Sequence, residues 1–209
     1  MRDKNIKVIK IYDQIAERYA ADCDPLDSEE GMTFPGIFIS YLKPKSKILD
    51  IGCGTGLSSG WFVINGMDSE GVDLSSSMIS IAKRNYPSLS FHLADIRTFR
   101  PRESPDAVWA GYSLFHMEKG DFEKTLDNIK RYLKRGGIFG LVMQEGEGEV
   151  EFPEPFKPDE IIYVHLYTVS ELSGILKEHG FKMIEHKIRK PIRPIELNFN
   201  KLLLIARNF

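Results

Sequence analysis

Apolar positions recur at two different spacings along the chain, and the spacings divide it into two parts. Residues 5–22 carry apolar side chains every three to four positions, which predicts an amphipathic helix. The acidic stretch 22–32 predicts a loop, and a second helix is predicted over 34–42, ending before Pro44. The N-terminal 45 residues are therefore expected to form a helical cap.

From residue 47 onward, short apolar runs alternate with helical stretches. This alternation is typical of repeated βαβ units on a mostly parallel sheet. The predicted strands are 47–51, 69–73, 90–93, 107–111, 138–143, 181–188 and 202–207, and the predicted helices between them are 57–65, 76–85, 122–134 and 169–179. We expect one α/β domain over 1–209, with a core at 47–143 and a C-terminal helix and strand hairpin at 168–209.

Two of these helices have marked ends. Thr168 and Glu171 have the spacing of a capping box, and Gly180 stands where a left-handed residue would end that helix. Asp121 is the predicted N-cap of the helix over 122–134.

The stretch 144–167 is rich in acidic residues and proline and lacks apolar periodicity. It is predicted to be an irregular insertion. Loops that follow the carboxyl ends of strands border the ligand site of an α/β sheet, so we expect it to be a lid or a substrate-side insertion that is mobile without cofactor.

Composition places the chain among globular proteins, and its near-neutral charge favours a small-molecule substrate over nucleic acid. With 42% hydrophobic and 28% charged residues, a packed core is expected, and the net charge of -2 lacks the basic excess of most nucleic-acid-binding proteins. Two cysteines cannot build a disulfide framework, so a reducing, cytoplasmic location is expected. We expect neither a signal peptide nor a membrane-spanning segment.

The strongest chemical signal is a glycine-rich turn after the first strand. In residues 50–56, DIGCGTG, three glycines alternate between a buried strand and a helix. Glycine lets the backbone approach a ligand closely, and the helix supplies N–H groups at its N-terminus. We predict a ligand on this turn, contacted by Asp50, Gly52, Cys53, Gly54 and Gly56; the alternative is an ordinary tight turn.

Two further acidic residues end the next two strands. Asp73 can accept hydrogen bonds from a ribose diol, or it can cap the helix that follows, although Ser75 could cap that helix instead. Asp95 can accept a hydrogen bond from an exocyclic amine such as that of adenine, or it can be a surface turn residue.

Taken in order, these motifs resemble those of class I S-adenosylmethionine-dependent methyltransferases. The resemblance covers about 47–143 and includes 50–56, Asp73, Asp95, the strand leading to 110–116, and the Gly136-Gly137 turn before the next strand. It implies a Rossmann-like, seven-stranded, mostly parallel sheet with an antiparallel last strand and helices on both faces. The cofactor would be S-adenosylmethionine and the product S-adenosylhomocysteine.

The resemblance also assigns roles to residues. Asp50 and the glycine turn would hold the methionine end of the cofactor, Asp73 the ribose, and Asp95 with Ile96 the adenine. Further cofactor contacts are expected from Leu74, Met78 and Gly111, and from Tyr12 and Tyr19 on a covering N-terminal helix, where core packing is the alternative.

A nicotinamide dehydrogenase is the main competitor for this turn. Its G-x-G-x-x-G pattern would need a third glycine at Leu57 or Ser59, and only a looser spacing through Gly60 survives.

His116 is the candidate catalytic residue, because it follows the fourth strand near the expected methyl-transfer position. A pKa near neutrality would let it take a proton from an attacking hydroxyl or amine. The alternative is a packed histidine beside Phe115.

The acceptor is expected to be a small molecule. DNA is disfavoured, because 111–114 reads GYSL where nucleic-acid amino-methyltransferases resemble one another in Asn or Asp, Pro-Pro and an aromatic residue. No metal-ligand spacing is present. An RNA or protein acceptor, using the basic residues Lys187, Arg189, Lys190 and Arg193 of an expected solvated hairpin, and a binding protein without turnover remain alternatives. The expected assembly is a monomer or homodimer.

Overall fold

The computed structural model describes residues 3–23, 32–192 and 196–209, which form six α-helices and nine β-strands. The helices are α1 (Asp3–Cys23), α2 (Thr33–Ile39), α3 (Leu57–Ile64), α4 (Ser76–Asn85), α5 (Lys119–Tyr132) and α6 (Val169–Glu178). The strands are β1 (Lys47–Ile51), β2 (Asp68–Asp73), β3 (Ser90–Leu93), β4 (Ala107–Gly111), β5 (Ile138–Glu145), β6 (Gly148–Glu154), β7 (Lys157–Tyr167), β8 (Phe181–Arg189) and β9 (Lys201–Asn208). Most of the loop predicted at 22–32, and Arg193, lie outside the described residues.

All strands belong to one mixed sheet. The order is β3-β2-β1-β4-β5-β7-β6, and β9 pairs antiparallel with both β5 and β8. The pairs among β1 to β5 are parallel. The predicted fold class, including the antiparallel last strand, is confirmed, and all seven predicted strands are present. The sheet has two more strands than predicted.

Both faces of the central strands are buried, which explains their near-continuous apolar sequences. On one face, β1, β4 and β5 pack against α1, α5 and α6, through side chains such as Ile11, Phe122 and Leu172. On the other face they pack against α2 and α3, through Phe38 and Phe62. The helices therefore cover both sides of the sheet.

The extra strands come from the segment predicted to be an irregular insertion. Residues 148–167 form the β6–β7 hairpin, so the prediction of an irregular, poorly packed segment was wrong. Its role as a lid or substrate-side insertion stays a prediction. In β6, exposed Glu149 and Glu151 alternate with the less exposed Val150 and Phe152. Because β6 is an edge strand, its outward charges concealed a two-residue repeat. β7 has a continuous buried run from Ile162 to Tyr167.

The hairpin lies over the carboxyl edge of the sheet. β4 pairs with β5 only as far as Val142, and β7 pairs with β5 beyond that point, at Gln144 and Glu145. The hairpin therefore continues the sheet past the end of β4, on the side where ligands bind in open α/β folds.

Helix ends follow the predictions with one exception. The Thr168 hydroxyl accepts a hydrogen bond from the Glu171 backbone N–H at 3.1 Å, and Gly180 has a φ of +79°. However, α5 begins two residues before Asp121, so Asp121 is not its N-cap. Its carboxylate instead accepts hydrogen bonds from Arg97 and Asn5.

No helix in residues 3–23, 32–192 or 196–209 is long and apolar enough to cross a membrane.

Candidate active site

A cavity of about 350 Å³ lies at the carboxyl edge of the sheet. This volume is within the range of small-molecule sites. Twelve of the predicted site residues line it: Tyr12, Tyr19, Asp50, Gly52, Cys53, Gly54, Asp73, Leu74, Met78, Ile96, Gly111 and His116. Gly56 and Asp95 do not.

The glycine turn approaches the loop after β4 very closely. A Cβ at Gly52 would lie 2.2 Å from the Cβ of Ser113, so no larger residue fits there without a shift. Gly54, at a φ of +52°, has no atom within 4 Å of its Cβ position. Gly52 therefore brings two loops together, and Gly54 leaves open space over the turn. Gly56 packs against Phe91 instead of facing the cavity.

Asp50 and Asp73 supply two carboxylates to this end of the cavity. Asp50 is 2% exposed and accepts a hydrogen bond from the Ser59 hydroxyl at 2.7 Å. Burial raises the pKa of Asp50 to about 7, and the nearby Asp73 charge adds to the effect. Burial also raises the pKa of Asp73, despite the opposing effect of hydrogen bonds from the backbone N–H groups of Ser75, Gly54 and Leu74. Two such carboxylates favour a ligand with a positive charge.

Asp73 also organises the turn itself. Its Oδ2 accepts a hydrogen bond from the Gly54 N–H at 2.9 Å, and its Oδ1 accepts one from the Ser75 N–H at 2.8 Å. The N-cap of α4 is Ser75, whose hydroxyl accepts from the Met78 N–H. The helix-capping alternative for Asp73 is therefore wrong.

Asp95 is held beside the cavity by an arginine. Arg97 donates through Nε to Asp95 at 2.9 Å and through Nη1 to Asp121 at 2.7 Å. The hydrogen bonds from Arg97 hold the pKa of Asp95 below its usual value. Ile96 and Arg97 line the cavity where Asp95 does not. The adenine contact predicted for the Asp95 carboxylate stays a prediction, and Arg97 is the polar side chain that faces the cavity there.

Helix α1 covers the cavity and contacts α4 through apolar side chains and hydrogen bonds. Tyr12 and Tyr19 pack edge to face, with ring centroids 6.1 Å apart, and contact Met78 and Ile81. Asp13 accepts hydrogen bonds from the Ser75 hydroxyl at 2.6 Å and the Ser77 N–H at 3.0 Å. The Asp13 carboxylate thus links α1 to α4, the helix that follows Asp73.

His116 joins three elements above the cavity. Its Nδ1 lies 2.9 Å from the carbonyl oxygen of Tyr163, and its Nε2 lies 3.1 Å from the Tyr12 hydroxyl. Because a carbonyl only accepts, Nδ1 carries the proton, and in the neutral ring Nε2 accepts from Tyr12. His116 therefore connects the loop after β4 to α1 and to β7.

The acidity expected for His116 differs from the prediction. The side chain is 8% exposed, and burial lowers its pKa to about 4. This value is below the expected pKa near neutrality, because the ring is buried and its two hydrogen-bond partners, the Tyr163 carbonyl and the Tyr12 hydroxyl, are neutral. The ring centroids of His116 and Phe115 are 4.3 Å apart, as the packing alternative predicts.

Tyr112 and Arg189, at the ends of β4 and β8, form another part of the cavity wall. Tyr112 has a left-handed backbone with a φ of +60°, uncommon for a bulky residue and typical of constrained sites. Arg189 donates to the Tyr112 hydroxyl at 2.7 Å and forms a two-bond ion pair with Glu196 at 2.9 and 2.7 Å. Arg189 was predicted to be part of a solvated hairpin, which is wrong for this residue.

Several cavity residues have no counterpart in the sequence predictions. They are Arg97, Gln144, Glu154, Phe156, Glu196 and Lys201. For Gln144 a signal existed, since it is polar at the carboxyl end of an apolar strand, as Asp73 is. Lys201 opens an apolar strand, and its place at the same edge follows only from the antiparallel pairing of β9.

No group of three or more His, Cys, Asp or Glu side chains within the described ranges could hold a metal ion.

Comparison with known proteins gives consistent matches. The sequence model of a family described as a methyltransferase domain matches residues 48–137. An O-methyltransferase of Pyrenophora dematioidea is 31% identical over 73% of this chain and 60% of its own length. An uncharacterized methyltransferase of Synechocystis sp. is 31% identical over 68% of this chain and 70% of its own length.

A solved structure has the same fold. The Burkholderia thailandensis 1,6-didemethyltoxoflavin-N1-methyltransferase, with bound 1,6-didemethyltoxoflavin and S-adenosylhomocysteine, superimposes with a TM-score of 0.73 at 17% identity, covering 100% of this chain and 91% of that one.

Some curated relatives are longer than this chain, which spans between 39% and 60% of the length of three of them. The Synechocystis relative, however, is matched over more than two thirds of both sequences, and the sheet order and glycine turn agree with the motif series. This chain belongs to the class I S-adenosylmethionine-dependent methyltransferases.

Proposed function

We propose that the chain transfers a methyl group from S-adenosylmethionine to a nucleophile on a small-molecule acceptor. The observation that carries this proposal is the pair of carboxylates, Asp50 and Asp73, beside the glycine turn at one end of a single cavity. The other end, near Tyr112 and Arg189, leaves room for an acceptor.

The residues present fit S-adenosylmethionine. Its amino and sulfonium groups are cations, and the raised pKa values of Asp50 and Asp73 indicate carboxylates that lack a nearby cation. The ribose diol would be bound by Asp73, which has accepting capacity beyond its two backbone bonds. The open space at Gly54 admits a ligand against the turn. Leu74, Met78 and Ile96 offer apolar contacts for the adenosine.

The chain's own residues supply alignment and exclusion of water. When bound, the cofactor provides a methyl group on a positively charged sulfur that is already a good leaving group. The protein therefore needs no covalent intermediate, and the rate enhancement comes from holding the acceptor in line in a dry cavity. Tyr12, Tyr19 and Phe156 cover the site from α1 and from the β6–β7 hairpin, with Tyr19 and Phe156 5.6 Å apart.

Proton removal from the acceptor is the step in which His116 would act. Its Nε2 holds a lone pair directed at the Tyr12 hydroxyl, so a proton could be passed to Nε2 through that hydroxyl. With its pKa lowered to about 4, His116 is neutral at pH 7 and a weak base. It would therefore assist an acidic acceptor more than an unactivated hydroxyl.

A small-molecule acceptor is favoured over a macromolecule. The cavity is covered by α1 and the hairpin, and the Burkholderia relative carries a small heterocycle beside S-adenosylhomocysteine. The RNA or protein alternative relied on the basic stretch, of which Arg189 is paired with Glu196 in the cavity wall. We keep a monomer or homodimer in a cytoplasmic, reducing setting as part of the proposal, together with the absence of a DNA partner.

The proposal is tested by incubating the protein with S-adenosylmethionine carrying a labelled methyl group and fractionated small-metabolite extracts. We expect label to enter a small molecule, with S-adenosylhomocysteine formed in equal amount. Asp73→Asn should reduce both products, while Asp68→Asn, at the exposed start of the same strand, should not. Tight S-adenosylhomocysteine binding without transfer to any fraction would favour a binding protein without turnover.

A further inference from the structure

Three polar side chains form a row across the sheet at the acceptor end of the cavity. Lys201 on β9 pairs directly with Gln144 on β5 on one side and with Arg189 on β8 on the other. Residues directly opposite in antiparallel strands project from the same face. All three line the cavity.

This row places two cations next to each other, which costs stability in a sheet. Glu196 acts electrostatically on both cations, but among the described residues it forms an ion pair only with Arg189. Both Nη atoms of Arg189 donate to Glu196, at 2.9 and 2.7 Å. The charge of Arg189 is therefore balanced within the protein.

Lys201 has no such balance. Its side chain is 1% exposed, and its Nζ donates to the Gln144 side-chain oxygen at 3.0 Å and to the carbonyl oxygens of Phe199, at 2.8 Å, and Leu197. All three acceptors are neutral. Within the described ranges, no carboxylate lies within ion-pair distance of Lys201. The charges that act on Lys201 are those of Glu196 and Arg189, which form an ion pair with each other. These two cations and one carboxylate leave one net positive charge, so an anion that enters the cavity is attracted to Lys201.

Gln144 provides a second donor at the same place. The side chain is 2% exposed, and its oxygen is engaged by Lys201. Its Nε2 has no hydrogen-bond partner in the part of the chain that the structure describes. A buried amide nitrogen of this kind normally has a partner, so its bonding capacity is available to a ligand.

We infer that the acceptor carries a carboxylate, which accepts a hydrogen bond from Gln144 Nε2 and is attracted by the charge of the adjacent Lys201 ammonium, whose three N–H groups already donate within the protein. This inference rests on the proposed methyl transfer, since it concerns the acceptor end of the same cavity. One uncompensated positive charge matches one negative charge, which favours a carboxylate over a dianionic phosphate. Ile192 and Leu197 line the same end, so the body of the acceptor beyond the carboxylate is apolar.

The acidity of Lys201 adds a pH dependence to this binding. Burial lowers the pKa of Lys201 to about 8. A carboxylate needs the charged amine, so its binding should be complete well below pH 8 and should weaken as the pH rises through that value and the amine loses its proton. A bound carboxylate also raises this pKa, which shifts the loss upward.

The test uses the full chain saturated with S-adenosylhomocysteine and ligand-detected ¹⁹F NMR. The probes are difluoroacetate, 4-fluorobenzoate and 4-fluorophenylacetate, each compared with its neutral amide, and 4-fluorophenyl phosphate. We expect at least one carboxylate to bind about 10- to 100-fold more tightly than its amide, the range for a hydrogen bond to a charged group. Lys201→Met should remove this preference, and Lys182→Met, on an exposed face of β8, should keep it.

Equal binding of acids and amides, no binding of any acid, or tighter binding of the phosphate would overturn the inference. If Lys201→Met does not fold, Gln144→Met and the comparison of acid with amide in the unaltered protein still decide it. S-adenosylhomocysteine affinity, measured separately, distinguishes the two failures. A protein that binds S-adenosylhomocysteine but no carboxylate contradicts only the acceptor class, whereas loss of both contradicts the proposed function.

Discussion

The Asp73 carboxylate has two roles, since it holds the glycine turn and it faces the cavity. Its carboxylate receives the Gly54 and Ser75 N–H groups and faces the cavity. We expect Asp73→Asn to weaken S-adenosylhomocysteine binding by about 1 to 3 kcal/mol, the scale for hydrogen bonds to a charged group. Isothermal titration measures this, with Asp68→Asn as the control. Unchanged affinity in Asp73→Asn would mean that this carboxylate serves the turn alone.

His116 predicts a pH dependence of stability with a defined sign. Its pKa is about 4 in the folded protein and about 6.5 as an unperturbed side chain. Between these two pH values the unfolded chain binds more protons than the folded protein. The contribution of the neutral His116 to the free energy of unfolding is therefore complete above about pH 6.5 and declines as the pH falls toward 4. The full effect is about 3 kcal/mol.

Denaturant unfolding of the protein and of His116→Gln at pH 4.5, 5.5 and 7 checks this prediction. The stability difference between the two should shrink as the pH falls, while His186→Gln, on an exposed part of β8, should track the unaltered protein. A difference that is constant with pH would show that the imidazole is not buried in its neutral form.

At the scale of single residues, the sequence predicted the cofactor end of the cavity far better than the acceptor end. Asp50, the glycines and Asp73 stand at strand ends that follow one another along the chain, so their meeting is local. The row of Gln144, Lys201 and Arg189 depends on the register of β9 between β5 and β8. Nothing in the spacing of those three residues reveals that register.

Among the elements, α1 is hydrogen-bonded to the start of α4 through Asp13. Burial opposes the charge, but hydrogen bonds from Ser75 and Ser77 lower the pKa of Asp13 below its usual value. We expect Asp13→Ala to reduce stability by about 2 kcal/mol and to weaken S-adenosylhomocysteine binding, because α1 loses its attachment to α4. Thermal unfolding and titration measure the two effects.

Glu17→Ala is the matched control on the same helix. Glu17 pairs with Arg84, and both side chains are well exposed, so this ion pair should contribute little. Equal losses in the two variants would show that any contact between α1 and α4 suffices, and that Asp13 has no special role.

The β6–β7 hairpin should be stable without cofactor. Ile162 and Val164 are 1% and 0% exposed and belong to the main core. We expect backbone amides from Ile162 to Leu166 to exchange with deuterium as slowly as those of β5 in cofactor-free protein. Exchange as fast as in a chain without structure would restore the mobile lid that composition suggested.

The elements also show which patterns are informative in a sequence. The central parallel strands β1, β4 and β5 are continuous apolar runs, and all seven predicted strands match the structure within one or two residues. The hairpin was missed because acidic residues and prolines on an edge strand resemble a loop when composition is considered before alternation. Its exposed glutamates protect the edge of the sheet from pairing with another chain.

At the scale of the whole molecule, a single cavity has two chemically different parts. The carboxylates beside the glycine turn favour a cationic ligand, and Lys201, in the row across β5, β9 and β8, favours an anion. The strand order changes direction between β1 and β4, which is where ligands bind in open α/β sheets.

Thermal unfolding with added nucleotides tests the central claim most directly. A ligand at one hundred times its dissociation constant stabilises the folded state by about 2.7 kcal/mol. For a domain of this size, we predict that S-adenosylhomocysteine raises the Tm by about 5 to 10 °C, and that NAD and NADP leave it unchanged. An equal rise with NAD, or no rise with millimolar S-adenosylhomocysteine, would contradict the assignment of this cavity to S-adenosylmethionine.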